Sequence, residues 1–238
     1  MIEDFHFLRV DIKKLRAYTH LFESFVKKFK RDVFIKPYKK VFAHAGTIRE
    51  IQIELKIIEK LEAQDGIEKY IKGLNKKLNK LQKNFDPAFY HDKIKSKKKK
   101  IKPYLNTKEK LSGKSIESYF ETKWGEIDKI IRKENPKKSQ LHDLRKKLKE
   151  FFYNIKIIES ENKIHEDISK YMDYLGQWHD YDVLLENIEI VLKKDKTEKK
   201  GMNAYREKVL MEERKLYQKI KQINTLPKYT FQQKSESE

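Results

Sequence analysis

A chain of 238 residues with a net charge of +19 and a pI near 9.6 is long enough for one large domain or two small ones. Its field attracts polyanions: nucleic acid, an anionic membrane surface or a phosphate-rich polymer. The chain has no cysteine, which excludes disulfides and thiolate metal sites, and no apolar run approaches the ~18–20 residues that span a bilayer. A hydrophobic share of 38% beside 39% charged residues is thin for a compact globule. With only 7 Gly and 5 Pro it suits long amphipathic helices, each of which needs a narrow apolar stripe. The first residues carry no signal-peptide pattern, so the expectation is a soluble cytoplasmic protein.

A first helix is predicted from about Ile2 to Lys30, with Leu8, Ile12, Leu15, Phe22, Val26 and Phe29 at helical spacing. A second carries Ile51, Leu55, Ile58 and Leu61 and runs to about Ala63, with Pro37 near its first turn, where proline is tolerated. Asp65-Gly66 marks a turn before a third helix through Ile67, Ile71, Leu74, Leu78 and Leu81. Pro87 could open another helical stretch with Phe89 and Tyr90, ahead of Lys93 to Lys102, where seven of ten residues are lysine. That run reads as a solvated helix end or as a funnel that collects polyanion. Residues 103–112 read as a loop, and a helix follows from about Lys114 to Arg132. Asn135-Pro136 is the expected boundary between an N-terminal half, 1–134, and a C-terminal half, 135–226. Ser139 is placed to cap the next helix, which carries Leu144, Leu148, Phe151, Ile155 and Ile158. Further helices cover about 162–193 and 197–223, and the polar tail 227–238 is expected to be disordered. No strand pattern occurs, so the fold class is all-α.

One pattern occurs twice. His6-x-x-Arg9-x-x-x-Lys13-Lys14-x-Arg16 near the start is matched by His142-x-x-Arg145-Lys146-x-x-Lys149 downstream. Each is followed by a second shared pattern: Gly46, Arg49, Glu50 and Glu54 in the first half, Gly176, His179, Asp180 and Asp182 in the second. At about 100° per residue, the basic residues of each first motif share one helix face and the apolar residues occupy the neighbouring one. The phase is the same in both copies, and Tyr153 joins the basic face of the second. A face that only solvates a helix has no reason to keep His, Arg and Lys in register while its other surface residues differ.

These residues resemble the CHAD family, the conserved-histidine alpha-helical domain. The first motif is similar to the family's opening His-x-x-Arg-x-x-x-Arg-Arg-x-Arg, with Lys13 and Lys14 in place of arginines. Leu141 to Lys149 is similar to its His-x-Leu-Arg-Lys-x-x-Lys signature. Leu175 to Leu184 is similar to its Leu-Gly-x-x-x-Asp-x-Asp-Val segment, and Glu50 stands where aspartate is usual. The resemblance implies two antiparallel helical bundles related by a pseudo-twofold, with a basic cavity between them, and binding of inorganic polyphosphate. It would place His6, Arg9, Lys13, Arg16, His142, Arg145, Lys146 and Lys149 on the anion, and Lys14, Arg49, Tyr153 and His179 complete the candidate set. It also suggests localisation to polyphosphate granules.

The residue types suit such a ligand. Polyphosphate has no bases, so its binder needs many N–H donors at repeated spacing; arginine forks two oxygens and lysine supplies a mobile point charge. At ~1.5 Å per residue, His6 to Arg16 offers roughly 15 Å of basic track. Single-strand binders interleave exposed aromatics with cations, whereas Phe22, Phe29 and Phe151 fall in core phase here; RNA or DNA is therefore the rival partner. His6 and His142 lack a chelating spacing, and Glu50, Glu54, Asp180 and Asp182 are expected to orient the motif arginines or to face water. A metal-dependent polyphosphate or triphosphate hydrolase would need a carboxylate cluster that the sequence does not show, and membrane attachment lacks an apolar anchor. The expectation is a non-catalytic binder without cofactor or metal. Its oligomeric state is not legible in the sequence.

Overall fold

The computed structural model describes residues 2–63, 65–86, 113–158, 163–194, 197–223, 225–227 and 229–230. The lysine run 93–102, the stretch of Phe89 and Tyr90, the loop 103–112 and the last residues 231–238 lie outside the described residues. Among the described residues all regular structure is helical. The helices are α1 Ile2–Phe25, α2 Arg31–Lys60, α3 Glu68–Lys83, α4 Gly113–Ile131, α5 Lys138–Ile158, α6 Lys163–Lys194 and α7 Lys199–Gln222.

Two compact units result, and they do not follow the expected halves 1–134 and 135–226. The described residues up to 12, within 34–86 and within 178–215 form one; those within 13–33, 113–177 and from 216 onward form the other. The physical reason is helix length. α1, α6 and α7 are 24, 32 and 24 residues long, and each contributes one end to one unit and its other end to the second.

In the first unit, Ile12, Val41, Ala45, Ile48, Ile51 and Ile58 are buried with Trp178, Leu184, Tyr205 and Val209. The Trp178 indole N–H donates to Glu213 Oε1 at 2.8 Å, which satisfies the two buried polar atoms together. α2 ends at Lys60 rather than at Ala63, in a closing turn built around Glu62, whose φ is +47°. The Glu62 N–H donates to the Glu59 carbonyl and the Ala63 N–H to the Ile58 carbonyl, both at 3.1 Å, a Schellman arrangement that leaves the chain unable to continue the helix. Lys208 Nζ then caps the exposed carbonyls of Leu61 and Glu62 at 3.0 and 2.8 Å.

The Asp65-Gly66 turn is present, with Gly66 at φ +76°. α3 has no side-chain cap of its own. Glu198, more than a hundred residues away, supplies one: its carboxylate accepts the N–H groups of Lys69 and Tyr70 at 2.8 and 3.0 Å. The start of α7 reaches α3 because Gly201 packs backbone to backbone on Gly66; a Cβ at Gly201 would lie 2.0 Å from the Gly66 carbonyl oxygen. Pro37 is the seventh residue of α2 and so sits in its second turn, one turn deeper than expected. It leaves the Val33 carbonyl without a helical donor, and Val33 is exposed to water there.

In the second unit, Phe120, Trp124, Ile127, Leu141, Leu144, Leu148, Phe151 and Ile155 are buried with Ile168, Leu175 and Ile220. α1 stops at Phe25 instead of Lys30. The Val26 N–H still bonds the Phe22 carbonyl and the Phe29 N–H the Val26 carbonyl, both at 2.9 Å, so a single turn brings Val26 and Phe29 into the core. Glu23 Oε1 accepts the Arg31 N–H at 2.9 Å and starts α2 early. Ser139 does not cap α5: it is exposed inside the first turn, and Gln140 Oε1 takes the Lys137 N–H at 3.0 Å, the glutamine half of a capping box. The tail expected to be disordered from residue 227 is ordered at Tyr229, which is 3% exposed. Its ring meets those of Phe151, Trp124 and Phe120 at centroid distances of 5.0, 5.9 and 6.3 Å.

Candidate functional site

The twice-repeated basic face is mostly half-buried. His6 and Lys146 are exposed, while Arg9, Lys13, Lys14, Arg16, Arg49, His142, Arg145, Lys149, Tyr153 and His179 are all intermediate. Side chains that merely solvate a helix extend into water. These are partly withdrawn from water, where the local dielectric is lower and each charge acts more strongly.

His6, Arg9, Arg49 and His179 belong to the first unit. Arg9 is positioned by α2. Its Nη1 donates to the Phe42 carbonyl of α2 at 2.9 Å, and its Cζ lies 4.3 Å from the Phe42 ring centroid. A mid-helix carbonyl keeps a second lone pair for such a donor. The guanidinium reaches it across Gly46, one turn beyond Phe42 and buried, where a Cβ would lie 2.3 Å from Nη1. The two shared patterns of the first half are therefore one local device: the glycine of the second receives the arginine of the first. In the second half the corresponding Gly176 has no heavy atom within 4 Å of an added Cβ, so it does not receive a side chain in the same way.

Of the two glutamates singled out in the first half, Glu50 is exposed to water and Glu54 is buried. Arg49 Nη1 contacts Gln52 Oε1 at 3.4 Å. Glu54 is 5% exposed and accepts the Tyr70 hydroxyl at 2.5 Å. Burial raises the Glu54 carboxyl to about 7, against the Tyr70 hydrogen bond and the charge of Lys77, which pull it down. Glu50 and Glu54 both line a cleft of about 450 Å³ formed with α3, α6 and the start of α7.

Lys13, Lys14, Arg16, His142, Arg145, Lys146, Lys149 and Tyr153 belong to the second unit. Arg16 is held below its ordinary value by burial and then by the charge of Arg31. Arg31 was not singled out in the sequence, and it extends the basic set beyond the motif. The Tyr153 phenol is pushed up by burial, with the Arg145 guanidinium opposing and Tyr18 adding to the shift, so the three side chains are electrostatic neighbours. His20, also missed, pairs through Nδ1 with Glu150. Lys146 lines a smaller cleft with side chains of α4 and the end of α1.

A family model described as CHAD domain matches residues 1–189. The chain belongs to the CHAD family. No curated protein and no solved structure matches it. Both copies of the His-x-x-Arg motif fall inside the matched stretch, as do Gly46, Gly176 and Arg31, so the clamp between Arg9 and Gly46 lies within the CHAD-matched part of this chain. Among the described residues of this CHAD domain, no group of three or more His, Asp or Glu side chains is placed to hold a metal ion, and no helix is long and apolar enough to cross a membrane.

Proposed function

We propose that this CHAD protein binds inorganic polyphosphate through its duplicated basic face and performs no chemistry on it. The observation that carries the reading is the half-burial of the motif cations in a chain of this family. Partial desolvation disfavours a cation. A polyanion laid over the face supplies opposite charge to all of them at once. Membership of the CHAD family supports the choice of polyphosphate among polyanions.

The residues assigned are those of both motifs: His6, Arg9, Lys13, Lys14 and Arg16 with Arg49, and His142, Arg145, Lys146, Lys149 and Tyr153 with His179. Arg9 acts from a fixed position. The lysines adapt, which suits a flexible polymer without a fixed register. Phe29, Phe120 and Phe151 are buried in cores, where they offer no stacking platform, whereas Phe22 is half-buried and Phe7, beside His6, is exposed.

The test is a titration of long-chain polyphosphate and of single-stranded RNA against the full chain across a salt series. Polyphosphate should bind more tightly at every ionic strength and displace RNA at equal phosphate concentration. Equal affinities, or RNA displacing polyphosphate, would overturn the assignment. Release of orthophosphate on adding a divalent metal would overturn the non-catalytic reading.

A further inference from the structure

α5 carries three distinct stripes. Taking His142 as zero at about 100° per residue, Arg145, Lys149 and Tyr153 stay near it, and Leu144, Leu148, Phe151 and Ile155 lie on the opposite side. Between them runs a third stripe, Asp143, Lys147, Glu150 and Asn154, at i, i+4, i+7 and i+11. The function proposed above does not use it. This stripe forms one wall of a cleft of about 180 Å³ whose other walls come from α4 and from the second half of α1.

Asn154 lies at the inner end of that stripe. It is 1% exposed, yet neither its Nδ2 nor its Oδ1 has a hydrogen-bond partner among the described residues. A buried carboxamide left with both a donor and an acceptor unsatisfied costs stability and is rare in folded proteins. An apolar residue of similar size would be the cheaper occupant of a position with no ligand to read.

The rim carries both signs. Lys147 Nζ lies 2.6 Å from Glu126 Oε2 and 4.0 Å from Asp143 Oδ2, and Lys123 Nζ lies 3.7 Å from Glu126 Oε1. His20 meets Glu150, and Lys146 adds an ammonium. Three lysines therefore face three carboxylates in a chain whose net charge is +19. A polyanion gains nothing from such a rim, because each carboxylate repels it. A molecule bearing one ammonium and one carboxylate can exchange ion pairs with both signs and leave no charge unmatched. The room equals that of roughly six water molecules.

We propose that this cleft binds a free amino acid whose α-ammonium and α-carboxylate pair with the rim and whose polar side chain meets the Asn154 carboxamide. The complementary end is one that itself offers a donor and an acceptor, as a carboxamide does. The site is separate from the basic face on α5 and shares only Lys146 with it.

The probe is L-glutamine, titrated calorimetrically into the full chain, with acetate and methylammonium as half-ligands at the same concentrations. L-Glutamine should bind at one site and raise the thermal midpoint, and neither half-ligand should do so. Asn154→Leu should raise the midpoint of the ligand-free protein, weaken L-glutamine at least tenfold and leave the polyphosphate titration unchanged. Asn154→Asp loses the donor at constant shape and should weaken it as well, which serves if the leucine variant does not fold. No heat and no shift with L-glutamine, binding of either half-ligand equal to that of L-glutamine, or full affinity in both variants would each overturn the proposal. A more stable Asn154→Leu in a protein that never responds to L-glutamine would show the cleft to be a water site only.

Discussion

Arg9 and Gly46 compete for one volume: a Cβ built on Gly46 lies 2.3 Å from Arg9 Nη1. The glycine is thus the condition for the Arg9–Phe42 contact, and the two residues should be thermodynamically coupled. Gly46→Ala forces the guanidinium off the Phe42 carbonyl and ring, a loss of about 1–2 kcal/mol, against about 1 kcal/mol regained from alanine's helix propensity. In an Arg9→Met background only the gain remains, so the same substitution should stabilise. Urea unfolding of the four proteins should give an interaction term of about 1–2 kcal/mol. Additive effects would show that the clamp contributes nothing. Gly176→Ala, with open space at its Cβ, should stabilise by about 0.5–1 kcal/mol in any background.

The clamp also marks where the sequence stops being legible. Helix order and the apolar stripes follow from local periodicity, and both appear among the described residues. Phe42 stands four residues before Gly46, so their common face on α2 was readable, but nothing local says that Arg9 crosses it. The same holds for Glu198 capping α3 and for Gly201 meeting Gly66: these are pairs far apart in sequence. The expected boundary at Asn135-Pro136 follows the repeat, whereas the compact units follow the contacts of helices long enough to serve both. Lys146 has the phase of the basic face, yet it lines the neighbouring cleft, because a lysine stem reaches farther than its helical angle suggests.

Glu54 should make stability depend on pH. Its folded carboxyl sits at about 7 and its ordinary value is 4.5, so between these the folded state binds the extra proton. Stability is then complete below about pH 4.5 and falls as pH rises through 7. The full difference corresponds to about 3 kcal/mol. Glu54→Gln keeps an acceptor for Tyr70 and removes the ionisation. It should match the parent near pH 4 and exceed it by up to about 3 kcal/mol near pH 8, measured by urea unfolding at both values. An equal difference at the two pH values would refute this.

Tyr229 ties the chain beyond α7 to the aromatic cluster of the second unit. Truncation to alanine removes a buried ring from contact with Phe151, Trp124 and Phe120 and should cost about 3 kcal/mol. The check is the denaturant midpoint together with near-ultraviolet circular dichroism of the Trp124 environment. Removing residues 235–238 should change neither signal, and a large loss from that deletion would move the anchor further along the chain.

The binding assignment calls for substitutions that spare the clamp. Arg9→Glu would weaken polyphosphate binding and the α1–α2 contact together, so its effect could not be apportioned. Arg145 and Lys149 lie on the basic face of α5, away from the Leu144, Leu148 and Phe151 core, and both are half-buried. Reversing both charges in Arg145→Glu with Lys149→Glu changes the net charge from +19 to +15. It places two carboxylates where phosphate oxygens are to lie. Affinity for long-chain polyphosphate should fall at least a hundredfold at low salt, and the slope of log K against log salt should become shallower by about two phosphate contacts' worth. The helical circular dichroism should persist. As a control, two exposed lysines outside the motifs, Lys72 and Lys76, reversed together change the net charge equally and should cost far less. Equal losses in the two double variants would mean that net charge, and not the repeated face, holds the polymer.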